Sequence, residues 1–277
     1  MRIAYLVAGN DSFGGGATVR DAAFVRGMLN AGHEVDAFSL YGYASIEGET
    51  RPSDIFTPLG RHSLSRIFPR LTKVPKILTS FSHLVRPVDN MTSIAVTGRR
   101  FDPNGPLVVD LLSGANKTQR SEFSRLMESL GRKPGKIEVV VLANLILSGL
   151  AEAVRANIGC PIVCLSQGSD RIIESLEEPF RSDARKLVRK NSRYFRRVIS
   201  SSRYFAIRAT ESLALPASRI KVVPPGVDAK AMDNPAPRKR IPFTIGYMAP
   251  IQKERGLDIL LDAVDGLLNS AHLDLEL

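Results

Sequence analysis

RIAYLVAGNDSFGGGATVRDAAFVRGMLNAGHEVDAFSL, residues 2–40, holds the pattern that decides the fold. Arg2 to Ala8 is an apolar run of strand length. Gly9-Asn10-Asp11 and then Gly14-Gly15-Gly16 break it, after which apolar residues recur at helical spacing through Ala17, Phe24, Met28 and Leu29. Gly32 is the natural helix stop, and His33 to Leu40 alternates apolar and polar residues as a half-buried strand does. A strand, a glycine loop, a helix and a second strand make one βαβ unit, which favours a parallel sheet with right-handed crossovers.

The same alternation recurs downstream. The pattern predicts a strand at Leu107 to Ser113, a helix at Lys117 to Leu130, a strand at Ile137 to Ala143, a helix at Leu145 to Ala156 and a strand at Pro161 to Ser166. It continues with a helix at about Asp183 to Phe195, a strand at Val198 to Ser201, a helix at Arg203 to Leu213 and a strand at Ile220 to Val223. Strands apolar on both faces suit a sheet covered by helices on each side. The fold class is therefore α/β, a Rossmann-like doubly wound parallel sheet.

Pro224-Pro225-Gly226 ends this series, giving a first domain at residues 1–224 and a linker rich in Pro and charge at 225–240. The pattern restarts with a strand at Pro242 to Met248, a helix at Leu257 to Leu268 and a strand beginning at Leu273 to Leu277. Residues 241–277 fall short of the roughly 50 residues of a small domain, so they are expected to be the start of a second, incomplete Rossmann-like domain, truncated at Leu277. On that reading Leu273 to Leu277 is an unpaired apolar strand that invites pairing with a complementary fragment.

Composition narrows the classes. With 44% hydrophobic and 24% charged residues the chain is too apolar for disorder, and no apolar run reaches the roughly 18 residues of a membrane span. The N-terminal apolar stretch is too short for a signal sequence, so a cytoplasmic protein is expected. Cys160 and Cys164 lie in one apolar run with no second pair, which argues against zinc or a disulfide framework; no metal site is expected. His33, His62, His83 and His272 share no ligand spacing.

Charge is unevenly placed. Arg181 to Lys221 carries 12 basic against 2 acidic residues, Arg61 to Arg100 carries 8 against 1, and Leu257 to Leu277 carries five acids and no base. Between Leu59 and Val88 apolar residues at three- and four-residue spacing, interleaved with Arg61, Arg66, Arg70, Lys73 and Lys76, predict a basic amphipathic helix pair broken at Pro69 and Pro75. Asp183 to Val198 sets Ala184, Leu187, Val188, Asn191, Tyr194, Phe195 and Val198 on one face and six cations on the other. Such a face is either simply solvated or docks on anionic lipid; nucleic acid is disfavoured because no recognition motif accompanies the charge.

Gly14-Gly15-Gly16, between the first strand and helix, is the type of turn that lets backbone amides approach an anionic ligand, or it merely forms a loop. A dinucleotide fingerprint does not fit: the glycines lie too far from the strand and Tyr41 stands where an acid would hold ribose. Asn116-Lys117-Thr118 lacks the glycine of a phosphate loop. Gln167, Gly168, Ser169 and Asp170 follow a strand's carboxyl end, where such folds bind ligands, although Asp170 also suits a helix cap.

Four segments together resemble the GT-B glycosyltransferases, specifically the large family 4 of retaining nucleotide-sugar transferases. They are MRIAYLV with GGGATVRDAAFVRGMLNAGHEV (residues 1–7 and 14–35), GCPIVCLSQGSD (159–170), VISSSRYFAIRATESLALPASRIKVVPPGVD (198–228) and FTIGYMAPIQKERGLDILLDAV (243–264). The resemblance implies an acceptor domain followed by a donor domain. It implies transfer of a sugar from a nucleotide diphosphate-sugar to a glycan or lipid acceptor with retention, the nucleotide-sugar being a substrate and no cofactor being required.

By the same resemblance the donor phosphates fall to Gly14, Gly15, Gly16 and Arg255, the last at the family's lysine position, while Pro250 replaces the family's arginine. The acceptor falls to Gln167, Gly168, Ser169 and Asp170, with Gln167 where many members have histidine. The family's acidic donor-binding pair would lie beyond Leu277, so the chain alone is expected to lack turnover, and Asp228 is expected to be a turn residue. The alternative is a non-catalytic module that binds a glycan or an anionic membrane surface, with a peripheral position on the inner face of the membrane.

Overall fold

The computed structural model describes residues 1–7, 17–39, 50–52, 105–114, 128, 135–166, 168–226, 243–249, 251, 255–271 and 275–276. The chain divides into two compact units, Met1–Val227 and Asp228–Leu277. Its strands are β1 (Arg2–Val7), β2 (Glu34–Ser39), β3 (Thr50–Pro52), β4 (Val139–Leu142), β5 (Ile162–Ser166), β6 (Phe195–Ser200) and β7 (Ile220–Val222) in the first unit, all in one sheet of order β3-β2-β1-β4-β5-β6-β7. Every neighbouring pair is parallel, with register running from Arg2↔Glu34 to Val7↔Ser39 between β1 and β2 and from Ile3↔Val139 to Leu6↔Leu142 between β1 and β4.

That order reverses direction between β1 and β4. A right-handed crossover that moves one way along the sheet lays its helix on one face, and a crossover that moves the other way lays it on the opposite face. The helix α1 (Ala17–Asn30), between β1 and β2, accordingly packs Ala22, Val25, Met28 and Leu29 against Ile3, Tyr5 and Val7. The alternate residues Ala4 and Leu6 face the other way, with Val140 and Leu142 of β4. On that second face lie α2 (Gly105–Ser113), a 3-10 helix (Leu145–Leu150) running into α3 (Ala151–Asn157), α4 (Ser169–Glu174), α5 (Phe180–Ser192) and α6 (Arg203–Leu213). The sheet is thus doubly wound, as the periodicity of its strands requires.

Three differences from the sequence expectation bear on the site. Leu107 to Ser113 belongs to α2 rather than to a strand. Short apolar runs are ambiguous between the two, and here Val108, Leu111 and Leu112 are buried at helical spacing while Asp110 is not. Packing settles it: α2 lies against α5 and the 3-10 helix, where Gly149 and Gly114 meet backbone to backbone. A Cβ on Gly149 would fall 2.1 Å from the Leu111 carbonyl oxygen. Asn191 of α5 donates from Nδ2 to the Leu112 carbonyl at 2.8 Å and contacts Ser148 Oγ at 3.2 Å, satisfying an end-of-helix acceptor that burial would otherwise strand.

The second difference is that Leu145 to Leu150 is 3-10 before α3 begins. The third is that α5 and β6 each start three residues earlier than expected, so Phe195 and Val198 are buried as strand residues while Ala184, Val188 and Asn191 keep the inward helix face. Of the predicted helix at Lys117 to Leu130 only Glu128 is described, and it is helical; the helices between Leu59 and Val88 and the linker from 227 onward lie outside the described residues.

The second unit is one βαβ turn: β8 (Phe243–Thr244), α7 (Leu257–Ala271) and β9 (Leu275–Glu276), with Phe243↔Leu275 and Thr244↔Glu276 in parallel register. Of the strand expected over Leu273 to Leu277, the described residues Leu275 and Glu276 pair with β8. Val264 is buried, whereas Ile259, Leu261, Leu267 and Leu268 on the same helix are exposed.

Candidate functional site

In a parallel α/β sheet each crossover helix runs back against the strands, so helix N-termini gather at the strands' carboxyl edge. At this edge polar side chains are buried and bonded to one another. Asn144, two residues beyond β4, accepts from Ile146 N at 2.9 Å, which caps the 3-10 helix, and from Ser169 Oγ at 2.8 Å, which ties that cap to the first residue of α4. Ser200, the last residue of β6, donates from Oγ to Ser202 O at 3.1 Å, and Ser202 in turn accepts from Phe205 N at 3.2 Å to cap α6.

The turn from β5 into α4 passes through Gly168, whose φ of 72° places it in the left-handed region that a side chain resists. That sharp entry puts Ser169 and Asp170 at the first turn of α4 and buries both. Gly168 occupies the cap position, so Asp170 is not the cap. Asp170 Oδ2 instead lies 3.8 Å from Arg208 Nε of α6, and Arg208 also pairs with Glu174, so one guanidinium joins two carboxylates and bolts α4 to α6. Asp170 Oδ1 is buried and has no hydrogen-bond partner. An open cleft of about 510 Å³ separates the two helices, lined by Asp170, Arg171, Glu174, Tyr204, Phe205 and Arg208 among others.

Of the residues singled out in the sequence, Gly168, Ser169 and Asp170 come together here. Gln167 and the glycines Gly14, Gly15 and Gly16 lie outside the described residues, as do Asp228, Pro250, His62, His83 and His272. Arg255 is in the second unit, exposed, two residues before α7. Asn144, Glu174, Tyr204 and Arg208 were not singled out. Asn144 carries a signal, being the polar residue that ends the apolar run VVVLA; Arg208 stands out only as part of the basic run.

Two further buried groups lie within the fold. Tyr5 donates from its hydroxyl to Asp21 Oδ1 at 2.8 Å, and burial together with the neighbouring Asp21 carboxylate holds the phenol well above its ordinary range. Cys160 and Cys164 are free and buried, and burial pushes both thiols up, away from the thiolate that a nucleophile needs. Among the described residues no group of three or more His, Cys, Asp or Glu side chains is placed to hold a metal ion, and no helix is long and apolar enough to cross a membrane. At this edge the buried hydroxyl and amide groups hold one another in place, and Asp170 stands at the cleft with one oxygen unpartnered.

Residues 94–231, which include α2 to β7, match the model of Glycosyltransferase Family 4. The chain therefore carries a glycosyltransferase family 4-like domain. No curated protein matches it.

Proposed function

We propose, from a family 4-like domain whose polar groups converge at one sheet edge, that this protein takes part in transferring a sugar from a nucleotide diphosphate-sugar to a glycan or lipid acceptor with retention. The observation that carries the reading is the Asn144–Ser169–Asp170 cluster, which sits at the carboxyl ends of β4 and β5, beside the point where the strand order reverses. Ligands of doubly wound sheets bind at that place. In this reading the acceptor's hydroxyls meet Gln167, Gly168, Ser169 and Asp170, and Asp170, an acceptor of hydrogen bonds when ionised, orients them.

Donor binding falls to the amides of Gly14, Gly15 and Gly16 and to Arg255. As the sugar leaves, negative charge grows on the diphosphate, and a guanidinium forking onto it stabilises that charge where it develops. The nucleotide-sugar is a substrate in this scheme and not a cofactor. Pro250 supplies neither charge nor a donor, so Arg255 is the one cation of its loop assigned to the phosphates, and residues 1–277 alone are expected to bind a donor without turning it over. The test is release of nucleoside diphosphate from a panel of nucleotide-sugars, with and without glycan and lipid acceptors, alongside equilibrium binding of each donor. The reading expects donor binding that Arg255→Ala weakens; no binding of any donor would overturn it.

A second reading has its own observation. Lys186, Arg189, Lys190 and Arg193 of α5 and Arg196 and Arg197 of β6 are all exposed. Such cations draw a protein to anionic lipid by about 1 kcal/mol each. A non-catalytic module in the cytoplasm, held by this face on the inner surface of the membrane, is the alternative. Co-sedimentation with anionic and with zwitterionic vesicles at low salt decides it; failure of the anionic vesicles to retain the protein removes the membrane version.

A further inference from the structure

The cleft between α4 and α6 has a chemistry of its own. One wall is aromatic: Tyr204 is 65% exposed, and Phe205 sits edge-on to it with ring centroids 5.5 Å apart, so the ring is backed by protein while much of it faces water. The other wall is ionic, yet its charges cancel. Asp170 and Glu174 stand against Arg171 and Arg208, and Arg208 is already engaged by both carboxylates. An added anion would meet two carboxylates, and an added cation would meet two guanidinium groups.

What the cleft leaves unmet is one acceptor, the second oxygen of Asp170. Asp170 is 2% exposed and its Oδ1 has no hydrogen-bond partner, a state that costs free energy until a hydroxyl or water supplies the proton. The volume, about 510 Å³, lies within the range of small-molecule pockets. The ligand that meets all these conditions has an apolar C–H face to lie on an aromatic ring, hydroxyls to donate to a carboxylate, and no net charge.

We propose that the α4–α6 cleft is a binding subsite for a neutral sugar ring, stacked on Tyr204 and hydrogen-bonded to Asp170, with Arg208 holding the carboxylates in place. That this ring is part of the acceptor rests on the transfer reading above; that it binds here does not.

The experiment uses the whole 277-residue chain. Methyl glycosides of glucose, mannose and galactose are titrated by saturation-transfer NMR and calorimetry, beside glucuronate and inorganic phosphate. At least one neutral glycoside is expected to saturate, with glucuronate and phosphate at least about tenfold weaker. Tyr204→Ala removes an exposed ring, leaves Tm unchanged and weakens the glycoside about tenfold. Asp170→Asn weakens it too; should that variant fail to fold, Tyr204→Ala carries the test alone.

Absence of saturation by any neutral glycoside overturns the proposal. So does binding that Tyr204→Ala leaves unchanged, and so does tighter binding of glucuronate or phosphate. The donor assay separates the two readings. Nucleotide-sugar binding without a glycoside in the cleft removes the subsite alone, and a glycoside in the cleft without any donor binding removes the transfer reading alone.

Discussion

The two edges of the main sheet solve opposite problems. At the carboxyl edge, where helices begin, orphan N–H groups need acceptors, and the chain supplies Asn144 and Ser202. At the amino edge, where helices end, orphan carbonyls need donors, and the chain supplies arginines. Arg155 donates to Gly159 O at 2.9 Å beyond α3, and Arg219 donates to Ser192 O at 2.8 Å and Arg193 O at 3.2 Å at the end of α5. Part of the basic run from Arg181 to Lys221 is therefore helix-terminus chemistry and needs no external anion. The lesson is that polarity at one edge is buried and structural, and so available to a ligand only at fixed geometry, while charge at the other is mostly exposed and adjustable.

If that contrast is right, substitutions behind the carboxyl edge are costly. The largest effect is expected from Gly149→Ala, since the added methyl carbon would fall 2.1 Å from the Leu111 carbonyl oxygen, a backbone atom that cannot swing away. A loss of about 3 kcal/mol in urea unfolding is expected. A variant within about 0.5 kcal/mol of the parent would show that the α2 packing is not as described. Asn144→Ala comes next. It removes the cap of the 3-10 helix and leaves the Ser169 hydroxyl without its acceptor, together about 2 kcal/mol. The same variant loosens the turn that carries Asp170, so weaker glycoside binding accompanies the loss of stability.

The contrast also explains what was legible in the sequence. Local periodicity gave β1, α1, β2 and α6 nearly to the residue, because each is settled by its own apolar spacing and by Gly32 or Ser202 at an end. LVVDLL in α2 reads as a strand because six residues so apolar satisfy either period, and only contact with Gly149 and Asn191 decides. The start of β6 is ambiguous in the sequence because Tyr194 and Phe195 extend the helical stripe of α5 as well as they begin a strand. At the candidate site, Ser169 and Asp170 were visible from their place after a strand. Their partners were not: Asn144 bonds Ser169 across 25 positions and Arg208 reaches Glu174 across 34, pairings that no local pattern encodes.

Tyr5 extends the rule for buried polarity to β1 and α1. Burial and Asp21 raise its pKa in the folded state. From about pH 10 upward the unfolded chain releases the phenolic proton while the folded chain keeps it. Unfolding is then favoured, and stability, full below that pH, falls as pH rises. Tyr5→Phe is expected to cost about 1.5 kcal/mol at neutral pH, because Asp21 loses the hydroxyl that donates to it, and to flatten the alkaline decline. Unfolding curves at pH 7 and above pH 10 check both parts; an undiminished alkaline slope in the variant would assign the loss elsewhere, the raised Cys164 thiol being the next buried acid.

The smallest effect on stability is expected on the exposed basic face of α5 and the start of β6, and there its smallness is the point. Lys186 is 77% exposed, and Asp183, its acidic partner among the described residues at 3.4 Å, is itself half in water. Arg189, Lys190 and Arg196 are likewise exposed. Replacing Lys186, Arg189, Lys190 and Arg196 together by Gln removes four charges with no buried contact, so each change should stay within about 0.5 kcal/mol and Tm should barely move. Retention on anionic vesicles, if this face docks on lipid, should collapse in the same variant, since each lost cation removes about 1 kcal/mol of attraction. A large drop in Tm would mean that these side chains hold the fold, as Arg155 and Arg219 do, and the division between a structural edge and an adjustable one would fail at its simplest point.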